Sequence, residues 1–404
     1  MKKIITVSLI FSILMLSLMA IIPVKTVYAD ANYLDLITGG TPMQIKYCHG
    51  QKMVHVALWG DYSINPNIGI AEINVTKVLL NEPNPYIIYE PNFTFYSFGS
   101  SIEYDNDNRS VWCIVSLEEY TFPVLVKFDT VTKTYTKTNI HCRNIRAPLI
   151  CYKGFLWVPS PDFLLYKINT TTLTIVDNSS LPECNVRYMI TDDNYIWMSA
   201  LNGTNAGFVM RYNIDTNAID LVIENLDNPF GLAVKDGKLY IASNTATYNV
   251  QGTIYVYNAI TGTKITEIKT AKIDHQQHGP YMVYFDSNGI LWWTDSSSHF
   301  GFISKFINQT YNAISPWCQY ITEVEGQIWF TVKGSAHVGM VDEWREPDVN
   351  GDNKVDLKDV FAVALAYGSY PGTPKWNENY DFNKDEKIDL KDYYYVCMNY
   401  GKTW

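Results

Sequence analysis

One unit recurs along most of this chain: a turn rich in Asp, Asn, Lys or Gly, then a strand in which an aliphatic residue is followed by an aromatic one. It stands at Leu58-Trp59, Val111-Trp112, Leu156-Trp157, Ile196-Trp197, Leu239-Tyr240, Leu291-Trp292 and Ile328-Trp329. Successive copies are 53, 45, 40, 43, 52 and 37 residues apart. Units too small to bury an apolar face alone must stack on their neighbours, and spacing this uneven suits blades with variable loops better than a rigid solenoid. Hairpin chemistry is legible inside the units, clearest in Tyr281 to Asp295 and Gly231 to Ser243, where an Asp/Asn/Gly turn that accepts positive φ joins two apolar strands. Before residue 355 no segment shows helical periodicity.

The expected fold is therefore all-β, a seven-bladed β-propeller over residues 30–345, with Tyr33 to Tyr47 lending a strand that closes the ring. A sandwich is the alternative, but it does not call for seven similar units. The marked aromatics are expected in the core between blades, with no ligand role.

Residues 1–29 read as a secretory signal peptide: Lys2 and Lys3, an apolar run from Ile4 to Ile22, and Val27-Tyr28-Ala29 with small residues at −3 and −1. The rest would face outward, secreted or at the cell surface, with no membrane span after cleavage. The net charge of −10 becomes about −13 without that segment, which removes three lysines and no acid. Such a chain has no electrostatic grip on nucleic acid. Sequons at Asn74, Asn92, Asn108, Asn169, Asn178, Asn202 and Asn308 fit a glycoprotein. The seven cysteines lack CxxC spacing, so zinc is not expected; an exported protein is expected to form one or two disulfides from them, and their odd number leaves at least one thiol unpaired. Cys397 is expected as a buried thiol.

The segments HGPYMVYFDSNGILWWTD (His278 to Asp295) and EVEGQIWFTVKGSAHVGMVD (Glu323 to Asp342) resemble the repeats of virginiamycin B (streptogramin) lyase and NHL-like propellers. Four histidines crowd the last two units: His275, His278, His299 and His337. If their loops open on one face, they and Asp295 form a cluster suited to a divalent metal or a general base. The resemblance implies something similar, since streptogramin lyases are metal-assisted and use a histidine and acids on this face. After Trp329-Phe330-Thr331, however, where that family commonly places Glu, this chain has Val332.

Composition changes after residue 346. Asp348 to Gly368 and Asp381 to Gly401 match at eleven of twenty-one positions with an offset of 33. Oxygen ligands alternate at loop positions 1, 3, 5, 9 and 12: Asp348, Asn350, Asp352, Asp356 and Asp359, then Asp381, Asn383, Asp385, Asp389 and Asp392. Lys354 and Lys387 at position 7 would offer their carbonyls. Six to eight oxygens are what Ca²⁺ requires, and crowded aspartates without a cation repel one another. Two calcium sites are therefore expected, the second weaker because Glu386 stands at position 6, where Asn353 tolerates positive φ better. An apolar-periodic stretch follows each loop, Val360 to Tyr367 and Tyr393 to Tyr400, read as a helix ending near Gly368 or Gly401.

Pro347 and the segment PGTPKWNENY leave no room for an entering helix. Loop-then-helix, twice, resembles the type I dockerin, in the version found on archaeal surface proteins. The resemblance implies that residues 346–404 dock onto a cohesin-bearing partner through Leu357, Lys358, Leu390 and Lys391, in two orientations. The leading reading is an exported propeller that serves as a recognition or structural disk, with a carbohydrate or small molecule as its candidate ligand, and is attached through this module. The alternatives are a metal-assisted lyase and a glycoside hydrolase. The latter needs two carboxylates about 5–10 Å apart, and beyond Asp295 and the distant Glu323 and Glu325 no pair declares itself.

Overall fold

The computed structural model describes residues 32–36, 40–61, 68–105, 107–119, 121–203, 206–244, 251–272, 279–295, 299–303, 308–312, 317–342, 347–382 and 386–403. Residues 1–29, His275, His278, Asn383 and Asp385 lie outside them. The chain separates into two compact units, one of residues 31–301 and 310–340, the other of residues 302–309 and 341–404 together with 1–30.

Two turn chemistries build the hairpins. Between first and second strands, Lys153-Gly154, Asp236-Gly237 and Glu325-Gly326 all have positive φ, the two-residue turn whose twist matches the strands it joins. Between third and fourth strands, an Asp or Asn side chain accepts from the backbone N–H groups two and three residues on. Asp129 does so from Val131 and Thr132, Asn169 from Thr171 and Thr172, and Asn258 from Ile260 and Thr261. The residue four positions after each, Lys133, Leu173 or Gly262, then takes the left-handed conformation.

Among the described residues these hairpins form five four-stranded sheets and one of eight strands. The eight-stranded sheet is two meanders joined where Gly60 pairs with Phe98 and Asp61 with Ser97. The first strands of the meanders are Thr41–Cys48, Ser97–Tyr104, Ile150–Tyr152, Cys184–Asp192, Pro229–Lys235, Pro280–Phe285 and Cys318–Val324. Each packs against the next, and the last against the first, so they line a central axis. That is the arrangement of a β-propeller. The strand Asn32–Asp35 pairs antiparallel with His337–Asp342 as the outermost strand of the final sheet, so the two ends of the propeller sequence are stitched in one sheet.

Trp112, Trp157, Trp197, Trp292 and Trp329 are buried, as expected of inter-blade core residues. Three carry a cross-strand cation over the indole: Lys127 on Trp112, Lys167 on Trp157 and Arg211 on Trp197. The first unit departs from the expectation. Trp112, Trp157 and Trp197 are each third in their strand, and the third residue of Met53–Asp61 is His55, not Trp59. Trp59 lies four residues further on, only partly buried, with Arg146 and Lys333 against its ring. A one-turn helix α1 (Val75–Leu79), which the periodicity did not reveal, is capped by the Asn74 side chain accepting from the Lys77 N–H at 3.0 Å. All seven cysteines are free thiols, and Cys397 is buried.

In the second unit, helices α2 (Leu357–Ala366) and α3 (Leu390–Met398) each start at a reciprocal cap, Asp356 with Asp359 and Asp389 with Asp392. Gly368 and Gly401, both at positive φ, follow their ends. Val355, Val360, Val363, Phe382, Ile388 and Val396 form the core. The backbone pairing is two-fold. Gly401 N–H donates to the Val355 carbonyl and Val355 N–H to that of Lys402, while Ile388 N–H donates to the Ser369 carbonyl and Gly368 N–H to that of Ile388. Each loop is thus sewn to the end of the other repeat's helix. Before the second loop stands only a three-residue 3₁₀ turn, Glu378–Tyr380.

Candidate functional site

The first acidic loop folds as a tightly curled turn. Asp348 Oδ1 accepts from the N–H groups of Gly351 (2.9 Å) and Asp352 (3.2 Å), and its Oδ2 from Asn353 (2.9 Å). Asn350 Oδ1 accepts from Asp352 N–H at 2.9 Å. Gly351 and Asn353 sit at φ 75° and 64°, and Glu386 takes φ 61° at the position equivalent to Asn353. Both loops therefore require the left-handed residue there that calcium loops ordinarily fill with glycine.

Among the described residues no group of three or more His, Cys, Asp or Glu side chains is arranged to hold a metal. The carboxylates of the first loop are turned onto other donors. Asp359, fully buried, takes the N–H groups of Val349, Asn350 and Asp356, and Lys358 places its ammonium 2.8 Å from Asp352 Oδ2. That hydrogen bond holds the Asp352 carboxyl below its ordinary range. The donor set still fits a hard cation: alternating oxygens on a loop curled by two left-handed residues, with a lysine ammonium already drawn to one of them. In the second loop Asp381 is buried and accepts from Glu386 N–H at 3.0 Å. Leu357 and Leu390, 45% and 52% exposed, open the two helices beside the exposed Lys358 and Lys391.

The propeller histidines are placed differently. His337 Nδ1 is hydrogen-bonded to the Ser335 carbonyl, and its Nε2 lies 4.0 Å from Asp35 in the stitching strand. Asp295 is fully buried at the end of its strand. His275 and His278 lie outside the described residues, and His299 opens the strand His299–Ile303.

What the fold does gather is a cavity of about 800 Å³ at the end of the axis where the inner strands begin. Three cations line it: Arg146, Arg187 and Lys333. None is ion-paired to a carboxylate among the described residues, and the described lining contains no acidic side chain. Rings back them instead. The Arg187 guanidinium lies 4.7 Å from the Phe230 centroid, Arg146 4.6 Å from that of Trp59, and Lys333 5.1 Å from Trp59 and 5.5 Å from Trp317. Burial lowers the pKa of Arg187 and Lys333 from their ordinary values, and the charge of Arg146 adds to the effect on Lys333.

Sequence reading missed these cations because they lie in separate units. A repeat does mark two of them. Asn144-Ile145-Arg146 and Asn185-Val186-Arg187 occupy successive units 41 residues apart, and Asn144 Nδ2 donates to Asn185 Oδ1 at 3.1 Å. Arg187 donates to Asn228 Oδ1, and Asn228 Nδ2 to the Asn244 carbonyl.

No family model matches the sequence, and no curated protein matches it either. Among solved structures, the chain is similar to one in "Crystal Structure of Mitotic Checkpoint Complex", with a TM-score of 0.58 at 10% identity, covering 80% of this chain and 98% of that one. It is also similar to the WD40 β-propeller domain of Doa1, with a TM-score of 0.57 at 11% identity, covering 79% and 98%. At these identities the likeness shows the fold, a β-propeller.

Proposed function

We propose that this chain is an exported, glycosylated seven-bladed propeller serving as a recognition disk, carried on a C-terminal module that binds two Ca²⁺ ions and docks onto a cohesin-bearing partner. Support for seven blades comes from the closed circuit of seven inner strands, with Asn32–Asp35 as the closing strand. The observation that carries the docking reading is the two-fold relation of the loop–helix repeats, in which Val355 and Ile388 make equivalent pairings. It presents Leu357-Lys358 and Leu390-Lys391 as two equivalent exposed pairs, so that one partner surface accepts either end.

In the bound state, Asp348, Asn350, Asp352, Asp356, Asp359 and the Lys354 carbonyl would hold the first ion, and Asp381, Asn383, Asp385, Asp389, Asp392 and the Lys387 carbonyl the second. The ion neutralises the crowded acids and fixes each loop at the start of its helix. Binding is favoured over glycoside hydrolysis because the described cavity lining offers cations, amides and rings rather than a pair of carboxylates.

The test is capture of type I cohesin domains by the full chain in calcium and in EDTA. Capture is expected in calcium alone. It should survive charge reversal of either Lys358 or Lys391 to Glu and be lost in the double variant. Equal capture in EDTA, or none in calcium, overturns the docking reading.

A further inference from the structure

We infer that the axial cavity is a binding site for a carboxylated saccharide, with Arg187 as the carboxylate receptor. This deepens the reading of the propeller as a recognition disk and is independent of the calcium module.

Three observations converge on it. First, a chain of net charge −10 concentrates Arg146, Arg187 and Lys333 around one cavity whose described lining has no acid to neutralise them. Like charges gathered without counter-charge destabilise the ligand-free protein, and an incoming anion relieves that repulsion. Second, the site is built rather than accidental. Arg187 is oriented by its hydrogen bond to Asn228 and by the Phe230 face, which leaves the rest of a planar five-donor group for a ligand, the geometry that pairs two-pronged with a carboxylate.

Third, two carboxamides in the lining are almost fully buried and unsatisfied. Asn244 and Gln319, 3% and 5% exposed, have side-chain oxygens with no hydrogen-bond partner. Leaving a buried polar atom unpaired is costly, and rotation of either amide toward the cavity lets a ligand hydroxyl remove that cost. An apolar wall completes the lining: Phe230 and Tyr281, both buried, pack with centroids 3.9 Å apart beside Arg187. The volume, about 800 Å³, is of the size that encloses a small-molecule ligand. A bare inorganic anion would satisfy the cations but leave most of the cavity and its amide lining unused, which is why a polyhydroxylated carboxylate is the better fit.

The test is calorimetric titration of the full-length protein with digalacturonic acid, with the neutral galactobiose, with sodium phosphate and with a short oligoglutamate peptide. Digalacturonate is expected to bind, at least about tenfold more tightly than galactobiose, and to weaken by a similar factor in Arg187→Gln and at high salt. Since Arg187 packs on Phe230, the half-buried Lys333→Gln serves as a second variant and is expected to weaken binding by about threefold or more.

Equal binding of the neutral disaccharide, or unchanged affinity in both folded variants, overturns the proposal. Phosphate binding as tightly as digalacturonate reduces the site to an inorganic-anion site and overturns the saccharide assignment, as does oligoglutamate binding where digalacturonate fails. Repeating the titration in EDTA separates this site from the docking module. Failure of calcium binding leaves the saccharide result standing, and the reverse also holds.

Discussion

His55 Nε2 lies 3.0 Å from Glu72 Oε2, at the cross-strand position where neighbouring units set an indole against a cation. The His55 ring is fully buried, its Nδ1 lies 2.6 Å from the Tyr104 hydroxyl, and Lys133 donates to the same Glu72 oxygen. Burial lowers the His55 pKa from 6.5 and outweighs the opposing pull of Glu72. Burial also pushes the Glu72 carboxyl up, but hydrogen bonds from His55 and Lys133 bring it below 4.5.

Both shifts act in the same direction with acid. An unfolded chain takes up a proton near pH 6.5 that folded His55 refuses, so the stability from this histidine is present above that pH and is lost as pH falls through it. The Glu72 contribution is present above pH 4.5 and is lost below it. Thermal unfolding followed from pH 7.5 to 5 is expected to show a falling midpoint, and His55→Gln should flatten the part between pH 6.5 and 5.

Two tryptophans that look alike in sequence are expected to behave differently. Trp197 is 1% exposed between blades, and its truncation to Ala should cost about 3–5 kcal/mol in denaturant unfolding. Trp59→Ala should cost about 1 kcal/mol or less, since the ring is only partly buried, yet weaken anion binding by removing the face that backs Arg146 and Lys333.

The left-handed position of each acidic loop gives a graded pair. Glu386→Gly at φ 61° should stabilise the second loop by about 1 kcal/mol and tighten its calcium affinity. Asn353→Gly at φ 64° should gain less, because asparagine tolerates that conformation. Calorimetry on both variants distinguishes them, and an equal gain would contradict the reasoning.

Lys358 competes with any cation for Asp352, at 2.8 Å. Lys358→Met should therefore tighten calcium binding at the first loop, most visibly at low ionic strength, where the lysine pair is least screened.

Most of the fold was legible because a hairpin is local: an Asx residue, a left-handed residue four positions on, and an apolar strand on either side declare themselves within fifteen residues. The first unit was misplaced by four residues because Leu58-Trp59 imitates the marker pair while Val54-His55 occupies its position. Gly368 and Gly401 as helix stops followed from the same local chemistry, but both helices start three residues before the apolar stretches, at Leu357 and Leu390, because Asp356 and Asp389 cap them. The cavity did not follow from it, since Arg146, Arg187 and Lys333 meet only when the ring closes. Of the clustered histidines, His275 and His278 lie outside the described residues and His337 is held by Ser335, while the loop between Trp329 and His337 contributes Lys333 to the cavity lining.

The most direct test of the central claim is calorimetric titration of Ca²⁺ into the full-length protein, beside Asp348→Ala and Asp381→Ala. Two binding events are expected in the parent chain, the second weaker, with one lost in each variant. No binding at about millimolar calcium, or binding untouched by both substitutions, would contradict it.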